Sequence, residues 1–182
     1  TTEPKFIPEQ AAQIALDGVT GLRVRLIDCV GYLVPSALGY IEEEQPRMVK
    51  TPWYDEEIPF NMAAEEGTRR VITDHSTVGL VVTTDGSITD IPRAEYAEAE
   101  ERVIRELQAI DKPFTVLLNT QDPTDPAAVT LAEELSARYG VPVQPVNCLT
   151  MGEDEIRAML EAMLTRFPLR EVGIDLPGWV MR

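Results

Sequence analysis

Three short, largely apolar runs most constrain how this chain can fold. They lie at residues 77–83, 113–119 and 141–147, and amphipathic segments separate each run from the next. Apolar runs of this length are typical of parallel strands that are buried on both faces of a sheet. Strands that alternate with helices predict an α/β fold with a mostly parallel sheet and flanking helices.

The segments between and beside these strands carry the signals of helices. Apolar residues at helical spacing predict three helices, at residues 61–75, 92–110 and 126–139. Asn61 is placed to cap the first of them. Asp125 is placed to cap the third, and Gly140 follows its last turn, where a glycine commonly ends a helix.

The C-terminal part predicts one more helix and then an exit from the domain. Thr150 and Glu153 have the spacing of a capping box. Pro168 ends the helix behind them, residues 172–176 predict a further strand, and residues 168–182 lead toward a following domain. Six apolar side chains of that helix are predicted to share one face: Ile156, Met159, Leu160, Met163, Leu164 and Phe167.

The N-terminal third combines a hairpin with a long segment that lacks periodicity. Residues 10–16 and 21–29 predict two antiparallel strands. Residues 33–60 carry four prolines and an acidic run, and an unstructured segment of this length is usually functional or mobile. The alternative is a disordered surface loop. Trp53 and Tyr54 argue against it, because disordered segments are poor in aromatic residues.

Asp28 ends the predicted strand at residues 22–28, and Gly31 follows it in the pattern D-x-x-G. In P-loop nucleotide hydrolases, an Asp at a strand tip holds Mg²⁺ through water, and such a glycine brings a backbone N–H to the γ-phosphate. The pattern alone is weak evidence, since a strand end followed by a glycine turn also satisfies it.

Four predicted strands end in small, polar or acidic residues: D-C-V-G at 28–31, T-T-D-G at 83–86, N-T-Q-D at 119–122 and N-C-L-T at 147–150. Ligands of open α/β sheets bind beyond the carboxyl ends of the strands. Polar strand ends are common, but D-x-x-G, then N-x-x-D, then a small polar loop is the order of GTPase signature loops. Asn119, Asp122 and Cys148 are therefore candidate nucleotide contacts.

The charge of the chain limits its partners. Its 182 residues, which suggest one domain, include 16 Lys or Arg and 31 Asp or Glu, for a net charge of −15. We expect no nucleic-acid partner and no docking on anionic lipid, because both need clustered cations. No apolar run is long enough to cross a membrane. Cys29 and Cys148 lie at strand ends, which argues against a disulfide framework and favours a reducing cytoplasm.

Six segments spread along the chain carry a family resemblance. They are T-T-E-P-K-F at 1–6, I-D-C-V-G-Y at 27–32, T-P-W-Y at 51–54, H-S-T-V-G at 75–79, T-T-D-G at 83–86 and A-E-E-R-V-I at 99–104. Together they resemble the nucleotide-hydrolysing domain of the stage IV sporulation protein A family, the spore-coat morphogenetic ATPases of endospore-forming bacteria. The similarity covers nearly the whole chain, and its first and third segments are highly specific.

The resemblance implies a P-loop fold of the translation-factor-like GTPase class. It also implies ATP rather than GTP as the substrate, Mg²⁺ as the cofactor and self-assembly into a polymer coupled to hydrolysis. That polymer is expected to form the base layer of the spore coat, beside other coat proteins, in the mother-cell cytoplasm at the forespore surface. Direct insertion of this domain into the membrane is not expected.

The same resemblance assigns roles to individual residues. Asp28 matches the Walker B aspartate, and Thr1 and Thr2 match the threonines of the first switch, with Thr2 also a candidate metal ligand. Gly31 matches the glycine of the second switch, which makes residues 33–60 a long insertion in that switch. Tyr32 stands where many GTPases keep a glutamine that orients water.

Two departures from the family pattern matter. The phosphate-binding pattern G-x-x-x-x-G-K-[ST] does not occur in residues 1–182, so the first strand and the P-loop are expected upstream. This chain alone is therefore expected to be a partial, inactive ATPase domain that binds ATP weakly and associates with itself. Thr120 stands at the lysine position of the guanine-reading pattern N-K-x-D, which weakens the assignment of guanine to Asp122.

Three functions stay open at this point. The first is an ATPase that polymerises during spore-coat assembly. The second is a regulatory GTPase that reads guanine through Asn119 and Asp122. The third is a non-enzymatic structural module of a coat polymer.

Overall fold

A computed structural model describes residues 5–15, 21–37, 41–42, 45–164 and 167 of the chain. A π-helical turn, Val71–His75, directly follows the first α-helix, Phe60–Arg70. In chain order, the elements are β1 (Lys5–Ala15), β2 (Gly21–Asp28), β3 (Ile41–Glu42), β4 (Gln45–Pro46), β5 (Met48–Thr51), β6 (Tyr54–Pro59), α1 (Phe60–Arg70), β7 (Gly79–Thr84), α2 (Arg93–Ala109), β8 (Phe114–Asn119), α3 (Pro126–Tyr139), β9 (Val143–Val146) and α4 (Glu153–Leu164).

Three of the strands form a parallel sheet in the order β7–β8–β9. Its register pairs Val81 with Val116 and Leu118 with Pro145. Helix α2 connects β7 to β8, and α3 connects β8 to β9. The predicted α/β fold with a parallel sheet and flanking helices is confirmed, and it is compatible with the architecture of nucleotide hydrolases.

Apolar side chains are buried on both faces of this sheet, because neighbouring residues of a strand point to opposite sides. One core joins the sheet to α2, α3 and the π-helical turn: Ile72, Val81, Ile104, Leu107, Phe114, Val116, Leu118, Ala132, Leu135, Tyr139 and Val143. The second core joins the opposite face to α4: Leu117, Val146, Met159, Leu160 and Met163. The hairpin packs against this second core through Ile14, Leu22 and Val24.

The predicted N-terminal hairpin is present, but it is longer than expected. Strands β1 and β2 pair antiparallel from Lys5 opposite Asp28 to Ala15 opposite Gly21. The register shifts between Ile7 and Ala12, which interrupts the alternation on which the sequence prediction depended. Strand β2 ends at Asp28, as predicted.

The expectation that residues 33–60 lack regular structure is wrong for their second half. Strands β5 and β6 pair as an antiparallel hairpin, with Thr51 opposite Tyr54. The prolines suggested breaks in structure, yet Pro52 lies in the turn of this hairpin and Pro59 ends β6 just before α1.

Two of the predicted helix starts are wrong. Pro59 precedes α1 without a side-chain cap, and the N–H of Phe60 donates to the carbonyl of Arg47 at 2.7 Å, so Asn61 lies inside the helix. A tertiary contact thus replaces the cap. At α4, the N–H of Gly152 donates to Glu155 Oε2 at 2.8 Å, in place of a capping box at residues 150–153.

The prediction for α3 is confirmed at both ends. Asp125 Oδ1 accepts from the N–H of Ala127 at 2.8 Å, and Gly140 has a φ of 67°, in the left-handed region. By contrast, only part of the predicted apolar face is buried: Ile156 on α4 is exposed, and so is Phe167, which lies beyond the end of α4. The expected strand at residues 172–176 and the exit at 168–182 lie outside the described residues.

Two sheet edges stay unpaired in the part of the chain that the structure describes. There, β2 pairs with β1 alone, and β7 pairs with β8 alone. None of the helices formed by the described residues is long and apolar enough to cross a bilayer.

Candidate functional site

The carboxyl ends of β7 and β8 meet in a network of short hydrogen bonds around Asp85. The hydroxyl of Thr120 donates to Asp85 Oδ2 at 2.6 Å. The backbone N–H and the hydroxyl of Ser87 both donate to Asp85 Oδ1, at 2.9 Å and 2.6 Å. Burial tends to raise the pKa of Asp85, but these hydrogen bonds outweigh it and lower that pKa. The centre of the network is therefore an ionised carboxylate.

Gln121 extends this network toward β9. Its backbone N–H donates to the hydroxyl of Ser87 at 3.0 Å, and its side-chain amide donates to the carbonyl of Ser87 at 2.6 Å. The side-chain amide of Asn147 donates to the carbonyl of Gln121 at 3.0 Å. Three strand ends are thus held in one arrangement by side chains that follow β7, β8 and β9.

Asn119 and Cys148, two of the predicted nucleotide contacts, are in direct contact. Asn119 Oδ1 accepts from the backbone N–H of Cys148 at 3.0 Å. Asn147 Oδ1 accepts from the N–H groups of Leu149 and Thr150 at 3.0 Å and 3.3 Å. The two asparagines hold the loop after β9 against the end of β8, which presents the exposed Cys148 and Leu149 at the carboxyl edge of the sheet.

Asp122 and Thr120 have different surroundings in this arrangement. Asp122 is exposed, and its Oδ1 accepts from the N–H and the hydroxyl of Thr124 at 2.9 Å and 2.7 Å, which lowers the pKa of Asp122. Thr120, at the lysine position of N-K-x-D, is only 2% exposed and bonds to Asp85. It therefore offers no side chain to cover a purine.

Asp28 and Gly31 form the other part of the predicted site. Asp28 is exposed at the end of β2. Gly31 has a φ of 79°, and a Cβ placed there would meet no atom within 4 Å, so backbone conformation alone favours glycine at this position. Between them, the Cys29 thiol is partly buried, and that burial raises its pKa.

Tyr32, directly after Gly31, is held by α2. Its hydroxyl donates to Glu106 Oε2, and the guanidinium of Arg102 lies 4.2 Å from the centre of its ring. Burial, and after it the hydrogen bond to Glu106, raises the pKa of Tyr32. The phenol is neutral at physiological pH and faces α2.

Direct hydrogen bonds do not link the two parts of the predicted site in the part of the chain that the structure describes. Among the described residues, no hydrogen bond joins Asp28 or Gly31 to Asn119, Asp122 or Cys148. Thr1 and Thr2 lie outside the described residues, so their predicted role stays a prediction.

Asp28 offers one exposed carboxylate to a divalent cation. No group of three or more His, Cys, Asp or Glu side chains in the described residues is placed to hold a metal ion. Mg²⁺ is usually bound by one or two carboxylates together with water and substrate phosphates, so a single exposed carboxylate fits this ion.

Sequence reasoning missed most of the network around Asp85. The polar strand end T-T-D-G drew attention to Asp85, but the links through Ser87 and Gln121 depend on loop geometry that spacing does not reveal. The contact between Tyr32 and Glu106 spans 74 residues and was missed for the same reason.

Comparisons with known proteins agree on one family. The sequence model described as stage IV sporulation protein A, ATPase domain, matches residues 1–168. Stage IV sporulation protein A of Bacillus anthracis is 50% identical over 181 residues, and that of Bacillus subtilis is 49% identical over 181 residues. Each match covers 100% of this chain and 37% of the relative. The protein of the same name from Clostridioides difficile is 49% identical over 180 residues, which is 99% of this chain and 37% of the relative.

The chain thus spans little more than a third of the length of these relatives. No solved structure matches it.

Proposed function

This chain belongs to the stage IV sporulation protein A family, and from that membership we propose that it is a large part of an ATP-hydrolysing domain that acts in sporulation. The match of residues 1–168 to the ATPase domain of the family carries the proposal. The exposed Asp28 at a strand end and the left-handed Gly31 behind it support it, because both features suit the D-x-x-G element of nucleotide hydrolases.

Catalysis in such a site depends on positioning and on neutralising charge rather than on covalent chemistry. Asp28 would hold Mg²⁺ through its hydration shell, and the N–H of Gly31 would donate to the γ-phosphate. Thr1 and Thr2 would contact the metal or the attacking water. When bound, Mg²⁺ supplies the positive charge that offsets charge developing on the phosphate oxygens.

The base of the nucleotide would lie at the other part of the site. Asn119 holds the N–H of Cys148 and thereby fixes the loop after β9, where Asn119, Asp122 and Cys148 border the carboxyl edge of the sheet. The buried Thr120 cannot replace the lysine that packs over guanine, and the choice of ATP as substrate rests on the family resemblance.

The complete protein would couple hydrolysis to assembly. We expect it to polymerise with itself, to form the base layer of the spore coat and to contact other coat proteins. Its place would be the mother-cell cytoplasm at the forespore surface. These expectations come from the family resemblance.

Competition between nucleotides on the complete protein tests this proposal. Unlabelled ATP should displace labelled ATP much better than GTP does, and Asp28→Asn should abolish hydrolysis at saturating Mg²⁺ while the far-ultraviolet circular dichroism stays unchanged. Asp111→Asn, at an exposed position in the loop before β8 and so at the opposite edge of the sheet, is the matched control and should retain hydrolysis. Preferential binding of GTP would instead support a regulatory GTPase.

The nucleotide dependence of assembly separates an enzyme from a structural module. Polymers that form equally well with ATP, without nucleotide and in the Asp28→Asn variant would favour the non-enzymatic alternative.

A further inference from the structure

The segment that follows D-x-x-G is anchored on α2 at two points. The hydroxyl of Tyr32 donates to Glu106 Oε2, and the backbone N–H of Ser36 donates to Glu95 Oε2 at 3.0 Å. Glu95 and Glu106 are eleven residues apart, which places them about 16 Å apart along the helix. Residues 32–36 therefore lie along three turns of α2.

The Tyr32 anchor belongs to a charge network that includes α1. Arg102 lies over the Tyr32 ring at 4.2 Å, contacts Glu106 Oε1 at 3.3 Å and pairs with Glu65 Oε2 at 2.9 Å. The guanidinium thus joins α1, α2 and the aromatic ring. A hydrogen bond to an ionised acceptor and a cation over an aromatic face are both stronger than the average surface contact.

Gly31 lies directly before this anchor, and its backbone forms a hydrogen bond with the Cys29 thiol. Its φ is 79°, and no atom lies within 4 Å of the point that a Cβ would occupy, so no side chain is packed against Gly31 on that side. Consecutive Cα atoms are about 3.8 Å apart, so the position of Tyr32 limits where the N–H of Gly31 can lie.

We propose that Tyr32 is a positioning residue: anchored on Glu106 and Arg102, it fixes the backbone N–H of Gly31 for the γ-phosphate. This inference rests on the proposed function, and it assigns control of that site to the surface that Glu65, Arg102 and Glu106 form on α1 and α2. A molecule that binds this surface and disturbs these side chains therefore changes the rate of ATP hydrolysis.

The direction of the effect follows from pre-organisation. A donor that is already in place loses no freedom when the transition state forms, so loss of the anchor lowers the rate more than the affinity. Coupling between binding sites is reciprocal, so nucleotide binding also changes the strength of the Tyr32 anchor.

Three variants of the complete protein test the proposal. Tyr32→Phe removes the hydroxyl but keeps the ring under Arg102, and Glu106→Leu removes the acceptor. Both should lower kcat for ATP about tenfold while the Kd for ATP stays within about twofold. Glu106→Gln keeps an acceptor oxygen and should recover most of the lost rate.

Hydrogen exchange gives a readout that does not depend on hydrolysis. The amides of residues 30–37 should exchange about fivefold faster in Tyr32→Phe than in the wild type. Tyr96→Phe on the same helix, which loses a hydrogen bond to Thr89 at an exposed position, is the matched control and should change neither kcat nor this exchange.

Wild-type kcat and wild-type exchange in Tyr32→Phe would overturn the positioning role, and so would an increase in kcat. Failure of the wild-type protein to hydrolyse ATP would instead refute the proposed function, and the exchange measurement would still report whether Tyr32 anchors the segment.

Discussion

Two asparagine side chains order the loops at the carboxyl edge of the sheet. Asn119 and Asn147 accept hydrogen bonds from backbone N–H groups of Cys148, Leu149 and Thr150, at distances from 3.0 to 3.3 Å. An amide side chain can both donate and accept, so it satisfies loop backbone that no strand partner reaches. The shape of this edge therefore depends on few side chains.

Replacement of Asn119 by Ala tests whether this side chain orders the loop after β9. The N–H of Cys148 loses its acceptor, which should cost about 1 kcal/mol of the free energy of unfolding. Amides of residues 147–151 should exchange faster in the complete protein, and its affinity for ATP should fall. Asn61→Ala, at an exposed position of α1, is the control. Unchanged exchange at Cys148 in the Asn119 variant would contradict the assignment.

Because of the surroundings of the Tyr139 hydroxyl, we expect the protein to lose stability at alkaline pH. Its hydroxyl donates to Glu100 Oε1 at 2.7 Å, and burial, followed by that hydrogen bond, raises its pKa to about 12. An unperturbed tyrosine titrates near pH ~10. The folded state thus favours the phenol, and its contribution is full below pH ~10 and is lost as the pH rises through the folded pKa.

Urea unfolding of the complete protein at pH 8 and pH 11 measures this effect. Tyr139→Phe cannot ionise, so the stability difference between the wild type and this variant should shift in favour of the variant at pH 11. A difference that is constant with pH would argue against the raised pKa.

For single residues, the sequence predicted the features that depend only on a residue and its immediate neighbours in the chain. Gly31 has the positive φ that a glycine after a strand end suggests, and Asp125 caps α3. The sequence did not predict Thr120 bonding to Asp85 across 35 positions, because such a contact depends on how two loops pack. The roles of Asp28, Thr1 and Thr2 stay predictions.

Helices and strands followed the sequence where their own residues determine them. The core strands β7, β8 and β9 and the helix α3 appear close to their predicted bounds, because burial and capping signals agree there. The predicted start of α1 was wrong because the first N–H of the helix, that of Phe60, donates to the carbonyl of Arg47 in another loop. Hydrophobic periodicity cannot report such a partner.

The π-helical turn after α1 depends on a lysine from the loop before β8. Lys112 Nζ donates to the carbonyls of Ile72 and Ser76, the second at 2.7 Å, and burial lowers the pKa of Lys112. The ammonium thus satisfies carbonyls that the widened turn Val71–His75 leaves without helical partners.

Replacement of Lys112 by Met should therefore destabilise the protein. The methionine keeps the apolar stem but removes the charged donor, at an expected cost of about 1–3 kcal/mol in the free energy of unfolding. Arg105→Met, on an exposed part of α2, removes a surface charge and should change stability by less than about 0.5 kcal/mol. Urea unfolding of the complete protein measures both, and equal effects would refute the capping role.

Across the whole molecule, the strands form separate sheets. The hairpin of β1 and β2 packs against the core around α4, while β7 leaves its outer edge unpaired among the described residues. Val82 on β7 is 55% exposed, and Leu26 on β2 is 54% exposed. Open edges that carry exposed apolar side chains pair readily with another strand.

We therefore expect residues 1–182, produced alone, to associate with themselves through this edge. Val82→Lys places a charge on β7 and should lower the light scattering of the sample at equal concentration, because a charged edge opposes strand pairing. Val129→Lys, on α3 and 37% exposed, makes the same change in net charge away from the edge and should leave scattering unchanged. If both variants lowered scattering equally, the loss of an exposed apolar side chain rather than the β7 edge would explain the association, since only a specific strand contact distinguishes the two positions.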